Sequence, residues 1–114
     1  MATTFPFSRN AGSLNGMAEV TIVPSPPAGV QRVVRSIYIS IPNPDPLSLE
    51  VSYSYGDSQS VLWQGVLQPL DTLMFGDGDA IVLCNDTDSI VAVLGSSPVA
   101  QPTFVANWGD RTSD

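Results

Sequence analysis

Residues 29–41, Gly-Val-Gln-Arg-Val-Val-Arg-Ser-Ile-Tyr-Ile-Ser-Ile, form the longest unbroken β signal in the chain. Side chains alternate across a strand. Val33, Ile37, Ile39 and Ile41 therefore fall on one face with Arg35 among them, and Arg32, Val34, Ser36, Tyr38 and Ser40 fall on the other. Pro42, Pro44 and Pro46 end the run, because proline has no N–H to give to a ladder. The result is a half-buried strand with a strongly aliphatic face.

The flanking sequence repeats this pattern in shorter pieces. Residues 18–23 read as a first strand, joined to the long one by a rigid Pro24-Ser-Pro-Pro-Ala-Gly29 connection. Residues 48–55 place Leu49, Val51, Tyr53 and Tyr55 on one face and Ser48, Glu50, Ser52 and Ser54 on the other. The chain then turns and returns through residues 61–67, with Val61, Trp63, Gly65 and Leu67 on its apolar face. A three-residue loop over 57–59 keeps the faces matched and predicts Tyr53 opposite Trp63, Val51 opposite Gly65 and Leu49 opposite Leu67; a two-residue loop mixes them. Further strands are expected over 70–75, 80–84, 89–94 and 103–108, with turns at 76–79, 85–88 and 95–98. Residues 80–84 are apolar on both faces, which predicts a buried strand and a buried thiol at Cys84.

About eight short strands with regular turn signals and no helical stripe predict an all-β fold. The expected architecture is an antiparallel β-sandwich, of which the jelly roll is one form. Ile37, Ile39, Val51, Tyr53, Ile81, Leu83, Ile90 and Ala92 are its expected core. At 114 residues the chain suits one domain. The expected organisation is an extended N-terminal arm over 1–17, the sandwich over 18–108 and a polar tail over 109–114. The arm shows no periodicity, but Phe5 and Phe7 flank Pro6 to make an apolar tooth in a polar segment. Packing against neighbouring subunits is one reading of it, and docking on its own domain is the other.

Charge narrows the function. The chain has no lysine or histidine, four arginines, eleven carboxylates and a net charge of -7. Binding to nucleic acid or to an anionic membrane needs clustered cations, so neither is expected. Without histidine, the usual Ser-His-Asp triad and His-ligated zinc sites cannot be built. No enzyme and no cofactor is expected. Two acidic turns, Asp77 with Asp79 and Asp86 with Asp88, have oxygen ligands that suit Ca²⁺, yet Asp, Asn and Gly are equally what a plain turn requires. Trp63, Trp108, Tyr38, Tyr53 and Tyr55 are candidates for a sugar-stacking platform, and equally for core and interface aromatics. Arg32 and Arg35 are expected on opposite faces, one paired with a carboxylate or a neighbouring subunit. The N-terminus shows no charged start followed by an apolar segment, so a cytoplasmic site of synthesis and assembly is expected.

The run from Val30 to Ile41, the later Leu67-Gln-Pro-Leu-Asp-Thr-Leu, the Ile-Val-Leu strand and Asp88-Ser-Ile-Val-Ala-Val-Leu-Gly together resemble small all-β virion proteins of tailed bacteriophages. The likeness spans roughly residues 18–108. It implies a structural virion role: a capsid decoration (cement) protein on the head surface, or a neck, tail or fibre component. A major capsid protein and other virion proteins are then the partners, and a trimer or dimer the assembly state. The residues expected at such partner contacts are Phe5, Phe7, Arg9, Arg32 and Trp108. A carbohydrate-binding module is the alternative of a different class.

Overall fold

The computed structural model describes residues 7–42, 46–75, 81–98 and 100–112. Their regular elements are β1 (Phe7–Ser13), β2 (Val20–Val23), β3 (Val30–Ser40), β4 (Leu47–Tyr55), β5 (Ser58–Leu67), β6 (Thr72–Phe75), β7 (Ile81–Leu83), β8 (Asp88–Leu94) and β9 (Thr103–Thr112). One sheet has the order β1-β9-β3-β6, with β7 also on β3; the other has the order β2-β8-β4-β5.

β6 pairs with the Ile37–Ser40 half of β3 and β7 with the Arg32–Val34 half. The two act as one interrupted edge strand. Counted so, the chain is a long antiparallel hairpin: β1 on β9, β2 on β8, β3 on β6 and β7, β4 on β5. Rolling that hairpin up sets β3 beside β9 and β4 beside β8. The expected sandwich is therefore a jelly roll. Ile37, Ile39, Ile41, Leu83, Phe104 and Ala106 from one sheet meet Ile22, Leu49, Val51, Ile90 and Ala92 from the other. Of the expected core, Tyr53 and Ile81 are only half-buried, and the other six are covered.

Three ladders slip by one residue: β2 at Ile22, β3 at Arg35 against β9, and β5 at Leu62. Each bulge lets one strand change which parity faces the core. In β3, Arg32 and Val34 are buried before the bulge, and Ile37 and Ile39 after it. In β2, consecutive Ile22 and Val23 are both buried. The carbonyl of the bulged Ile22 accepts a hydrogen bond from the Asn10 side-chain amide on β1 (2.9 Å), which ties the two sheets along their shared margin.

The β4–β5 hairpin departs from the expected register. Its loop is the two residues Gly56-Asp57, so Tyr55 lies opposite Ser58 and Tyr53 opposite Ser60, not Trp63. Gly56 has φ 59° and Asp57 has no positive φ, the arrangement of a type II′ turn. The bulge at Leu62 restores the parity that the two-residue loop breaks. Beyond it Val51 faces Trp63 and Leu49 faces Gly65.

The described part of the N-terminal segment docks on its own domain, the second of its two readings. Phe7–Ser13 pairs along β9 from Gly109 to Thr103, and the Leu14 N–H continues the ladder to the Pro102 carbonyl (2.9 Å). Phe5 and the turn at 76–79, with Asp77 and Asp79, lie outside the described residues. β9 in turn runs past Trp108, because Gln31, Arg32 and Val33 keep Arg111, Asp110 and Gly109 in register. Cys84 is exposed rather than buried. The strand there is only Ile81–Leu83 and lies at the margin of β3, so the thiol sits in the following turn.

Ile39 is fully buried near the C-terminal end of β3. Ile39→Ala should lower stability by about 2–5 kcal/mol through lost burial and a residual cavity, read as a drop in denaturation midpoint at unchanged m.

Candidate assembly surface

Two polar clusters pin the jelly roll from inside, and they determine which side chains remain for contact with other molecules. The first centres on Arg32. The bulge at Arg35 turns Arg32 inward, where the register sets it opposite Asp110. Its Nε and Nη2 donate to the two oxygens of Asp110 (2.8 and 3.0 Å), a bidentate pair. Its Nη1 donates to the Pro24 carbonyl (2.7 Å). Its guanidinium carbon lies 4.9 Å from the centroid of the Trp108 ring, an attractive stacking arrangement. One side chain thus joins the β2–β3 connection to β3 and β9. Trp108 is buried, and its Nε1 has no hydrogen-bond partner among the described residues.

The second cluster closes the turn between β7 and β8. Asp88 is buried, and its Oδ2 accepts from the Tyr53 hydroxyl (2.7 Å) and from the N–H groups of Asn85 (3.2 Å) and Cys84 (3.3 Å). The Tyr53 oxygen also lies 3.2 Å from the Val82 carbonyl. Burial first, and then the Asp88 carboxylate, raise the Tyr53 pKa well above its ordinary 10.0. Of the acidic pair considered for Ca²⁺, Asp88 thus caps its own turn while Asp86 is exposed. No group of three or more metal-ligating residues forms among the described residues.

The residues expected at partner contacts are divided by the fold. Arg32 and Trp108 make their contacts inside the domain. Arg9 is exposed on β1, opposite Asn107. Phe7 starts β1 opposite Gly109. Arg35, three residues from Arg32, is exposed. The five aromatics considered as a platform are likewise split: Trp108 is inside, Tyr53 is held by Asp88, Trp63 is half-buried, and Tyr38 and Tyr55 are exposed. A shallow dent on the outer face of β4, lined by Ser48, Glu50, Gln64, Val93 and Gly95 among others, contains no aromatic side chain.

What the surface does present is aliphatic and lies around β5 and β6. Val61 (53% exposed), Leu62 (36%) and Val66 (61%) line the outer face of β5, and Met74 stands outward on β6 beside Tyr38. Between the two strands Leu70 is 73% exposed at φ 68°. It occupies the third position of a turn over Gln68-Pro69-Leu70-Asp71, closed by Asp71 N–H to Gln68 O (3.0 Å). Pro69 presets the second position, but a positive φ at the third normally calls for glycine or asparagine. The loop is held by Leu70 N–H to Ile41 O, Ile41 N–H to Asp71 O and Gln68 N–H to Asp71 Oδ2. A bulky side chain is thus displayed on strained, well-anchored backbone, a combination associated with functional sites. The Gln-Pro-Leu-Asp sequence signals a turn, yet nothing in it marks Leu70 as the displayed residue.

No family model matches the chain, and no curated protein matches it. Among solved structures, it is similar to one from Bacillus endospore appendages, which form a novel family of disulfide-linked pili. That match has a TM-score of 0.52 and 12% identity and covers 97% of this chain and 91% of the other. A structure of infectious bursal disease virus Gx strain aligns with a TM-score of 0.43 and 11% identity over 99% of this chain and 31% of its own. A virus-like particle of the extra small virus of the prawn Macrobrachium rosenbergii aligns with a TM-score of 0.33 and 10% identity, over 98% and 83%. The likeness to the pilus protein is one of fold.

Two outcomes follow from the polar clusters. Arg32→Ala leaves Asp110 and the Pro24 carbonyl without their donor and should cost about 3 kcal/mol, with Asp110→Ala adding much less on top, as measured by a double-mutant cycle. Because the Tyr53 pKa is raised by folding, the stability it contributes is fully present below pH 10.0, its ordinary pKa, and is lost as pH climbs above that value towards the folded pKa. Tyr53→Phe should therefore be less stable than wild type at pH 8 and show a shallower decline above pH 10, both read by chemical denaturation.

Proposed function

We propose that this chain is a non-enzymatic structural subunit of a virus particle, most specifically a decoration protein that binds the outer surface of a phage head and bridges its capsomers. The observation that carries the reading is Leu70: a large aliphatic side chain held out to solvent on strained backbone, with exposed Val66 and Met74 on the strands that flank it. Strain of this kind costs roughly 1–3 kcal/mol and persists where a display is useful. The resemblance of residues 18–108 to small phage virion proteins supports the same reading, as does a fold similar to that of a structure from pili, which are themselves assemblies. Capsid proteins are the partners on this reading, and Arg9 and the N-terminal residues around Phe5 and Phe7 are further contact candidates. A neck, tail or fibre position is the second form of the reading.

The disulfide linkage described for the Bacillus pili is not carried over. The chain has a single cysteine, and one thiol joins at most two copies. The carbohydrate-binding alternative loses its support with the dispersal of the five aromatics over buried and exposed positions.

Leu70→Gly separates display from stability. Relief of the left-handed strain should raise stability by about 1 kcal/mol in the folded domain. The same change should weaken binding to capsid shells stripped of their decoration protein by about tenfold, read in an occupancy titration. Unchanged occupancy would place attachment elsewhere on the domain, and a complete failure of wild type to bind such shells would remove the decoration reading.

A further inference from the structure

We infer that Asn15 is a chemical modification site, converted to aspartyl and isoaspartyl forms by deamidation at a rate set by the side chain of Gln101. The inference is independent of the proposed assembly role. Deamidation begins when the backbone nitrogen of the next residue attacks the asparagine side chain, so that next residue decides much of the rate. A Cβ there crowds the attack, and proline has no N–H to give up. The asparagines of this chain are followed by Ala11, Gly16, Pro44, Asp86 and Trp108, so Asn15 alone precedes glycine. The side-chain amides of Asn10 and Asn107 are also held, donating to Ile22 O (2.9 Å) and to Ser36 Oγ (3.0 Å). Asn15 is exposed, and its side-chain amide has no hydrogen bond among the described residues.

Asn15 and Gly16 open the tight turn that joins β1 to β2. Ala18 N–H donates to Asn15 O (2.9 Å), and these two residues form an isolated antiparallel bridge. Gly16 lies between them at φ 55°, and nothing stands within 4 Å of the position a Cβ would take. Water therefore reaches the reacting pair. One contact opposes the reaction. The Gly16 nitrogen must become the nucleophile, yet its N–H donates to Gln101 Oε1 (3.0 Å). Gln101 is placed by its neighbour: Pro102 is fully buried, and its carbonyl accepts from Leu14 N–H (2.9 Å). A hydrogen bond made by the protonated form disfavours loss of that proton. It also fixes the peptide plane that must rotate to bring the nitrogen to Asn15 Cγ.

Water is the sole co-reactant. A solvent base takes the Gly16 proton, the nitrogen bonds to Asn15 Cγ, and the Cγ–Nδ2 bond breaks to release ammonia. Water then opens the cyclic imide. Its attack at Cγ leaves aspartate in an ordinary main chain. Its attack at the main-chain carbonyl carbon of residue 15 leaves an isoaspartyl link, which carries the side-chain methylene into the main chain. Either product adds one negative charge to a chain already at -7. The isoaspartyl form also lengthens a tight turn, and the bridge from residue 15 to Ala18 is lost with it.

The test incubates the full chain at mildly alkaline pH and follows the exchange of amide for carboxyl at each asparagine by peptide mass spectrometry. Gln101 is exposed, so Gln101→Ala and Gln101→Glu should keep the wild-type melting temperature. In native Gln101→Ala, Asn15 should react before every other asparagine. It should also react about three- to tenfold faster than in wild type, the effect of losing one exposed hydrogen bond. Gln101→Glu keeps an oxygen that accepts from Gly16 N–H, so it should react no faster than wild type. In urea strong enough to unfold the domain the three proteins should react alike, because the contact to Gln101 exists only in the fold. Equal native rates for wild type and Gln101→Ala would overturn the inference. So would a Gln101→Glu protein as fast as Gln101→Ala, a difference that persists in urea, or another asparagine that reacts first.

Discussion

The jelly roll depends on the phase change in β3. A strand buried on one face and uniformly alternating from Val30 to Ser40 would send Arg32 to the outside if Ile37 and Ile39 face the core. The bulge at Arg35 removes that conflict. It allows the second half of the strand to fill the core with isoleucine, and it aims Arg32 from the first half at Asp110, Trp108 and the Pro24 carbonyl. β3 is also the strand on which β9, β6 and β7 all assemble. The bulge therefore sets both the packing of the core and the electrostatic clasp at one end of it. A guanidinium this buried would be a liability without its bidentate carboxylate, and the register of β9 supplies one across the ladder.

The same device explains where strand alternation could be read from the sequence and where it could not. Apolar positions with an unbroken period of two, such as Leu49 and Val51 or Ile90 and Ala92, are in the core as expected. The errors in register lie at bulges. Parity alone predicts an odd loop for the β4–β5 hairpin, but a tight Gly56-Asp57 turn with compensation at Leu62 satisfies parity equally well. A glycine that favours a II′ turn outweighed the simpler ladder. Cys84 illustrates a different limit. Its apolar neighbours do place Leu83 in the core, but a three-residue strand ends before the thiol, and Asp88 captures the next N–H groups for a turn.

The surface was the least legible part, for a physical reason. Burial leaves a periodic signature because many side chains must agree on one face, whereas a contact patch is defined by only a few side chains and by local backbone geometry. Phe5 and Phe7 stand out in a polar stretch of sequence, and Arg32 and Trp108 look like anchors, yet the latter two are engaged inside the fold. Leu70 has no distinguishing neighbour in sequence. Its display emerges only from φ 68°, its exposure and the four hydrogen bonds that hold the surrounding loop.

The two features of the margin around β5 are physically coupled. β5 ends at Leu67, and within three residues the chain has crossed to the other sheet through the Leu70 turn. Because the turn is anchored to Ile41 at the end of β3, its rigidity is inherited from the strand on which β6, β7 and β9 assemble. A contact made by Leu70 or by Val66 therefore meets a surface whose ordering cost was already met on folding, and pre-organisation of this kind is what allows a small apolar patch to bind with useful affinity.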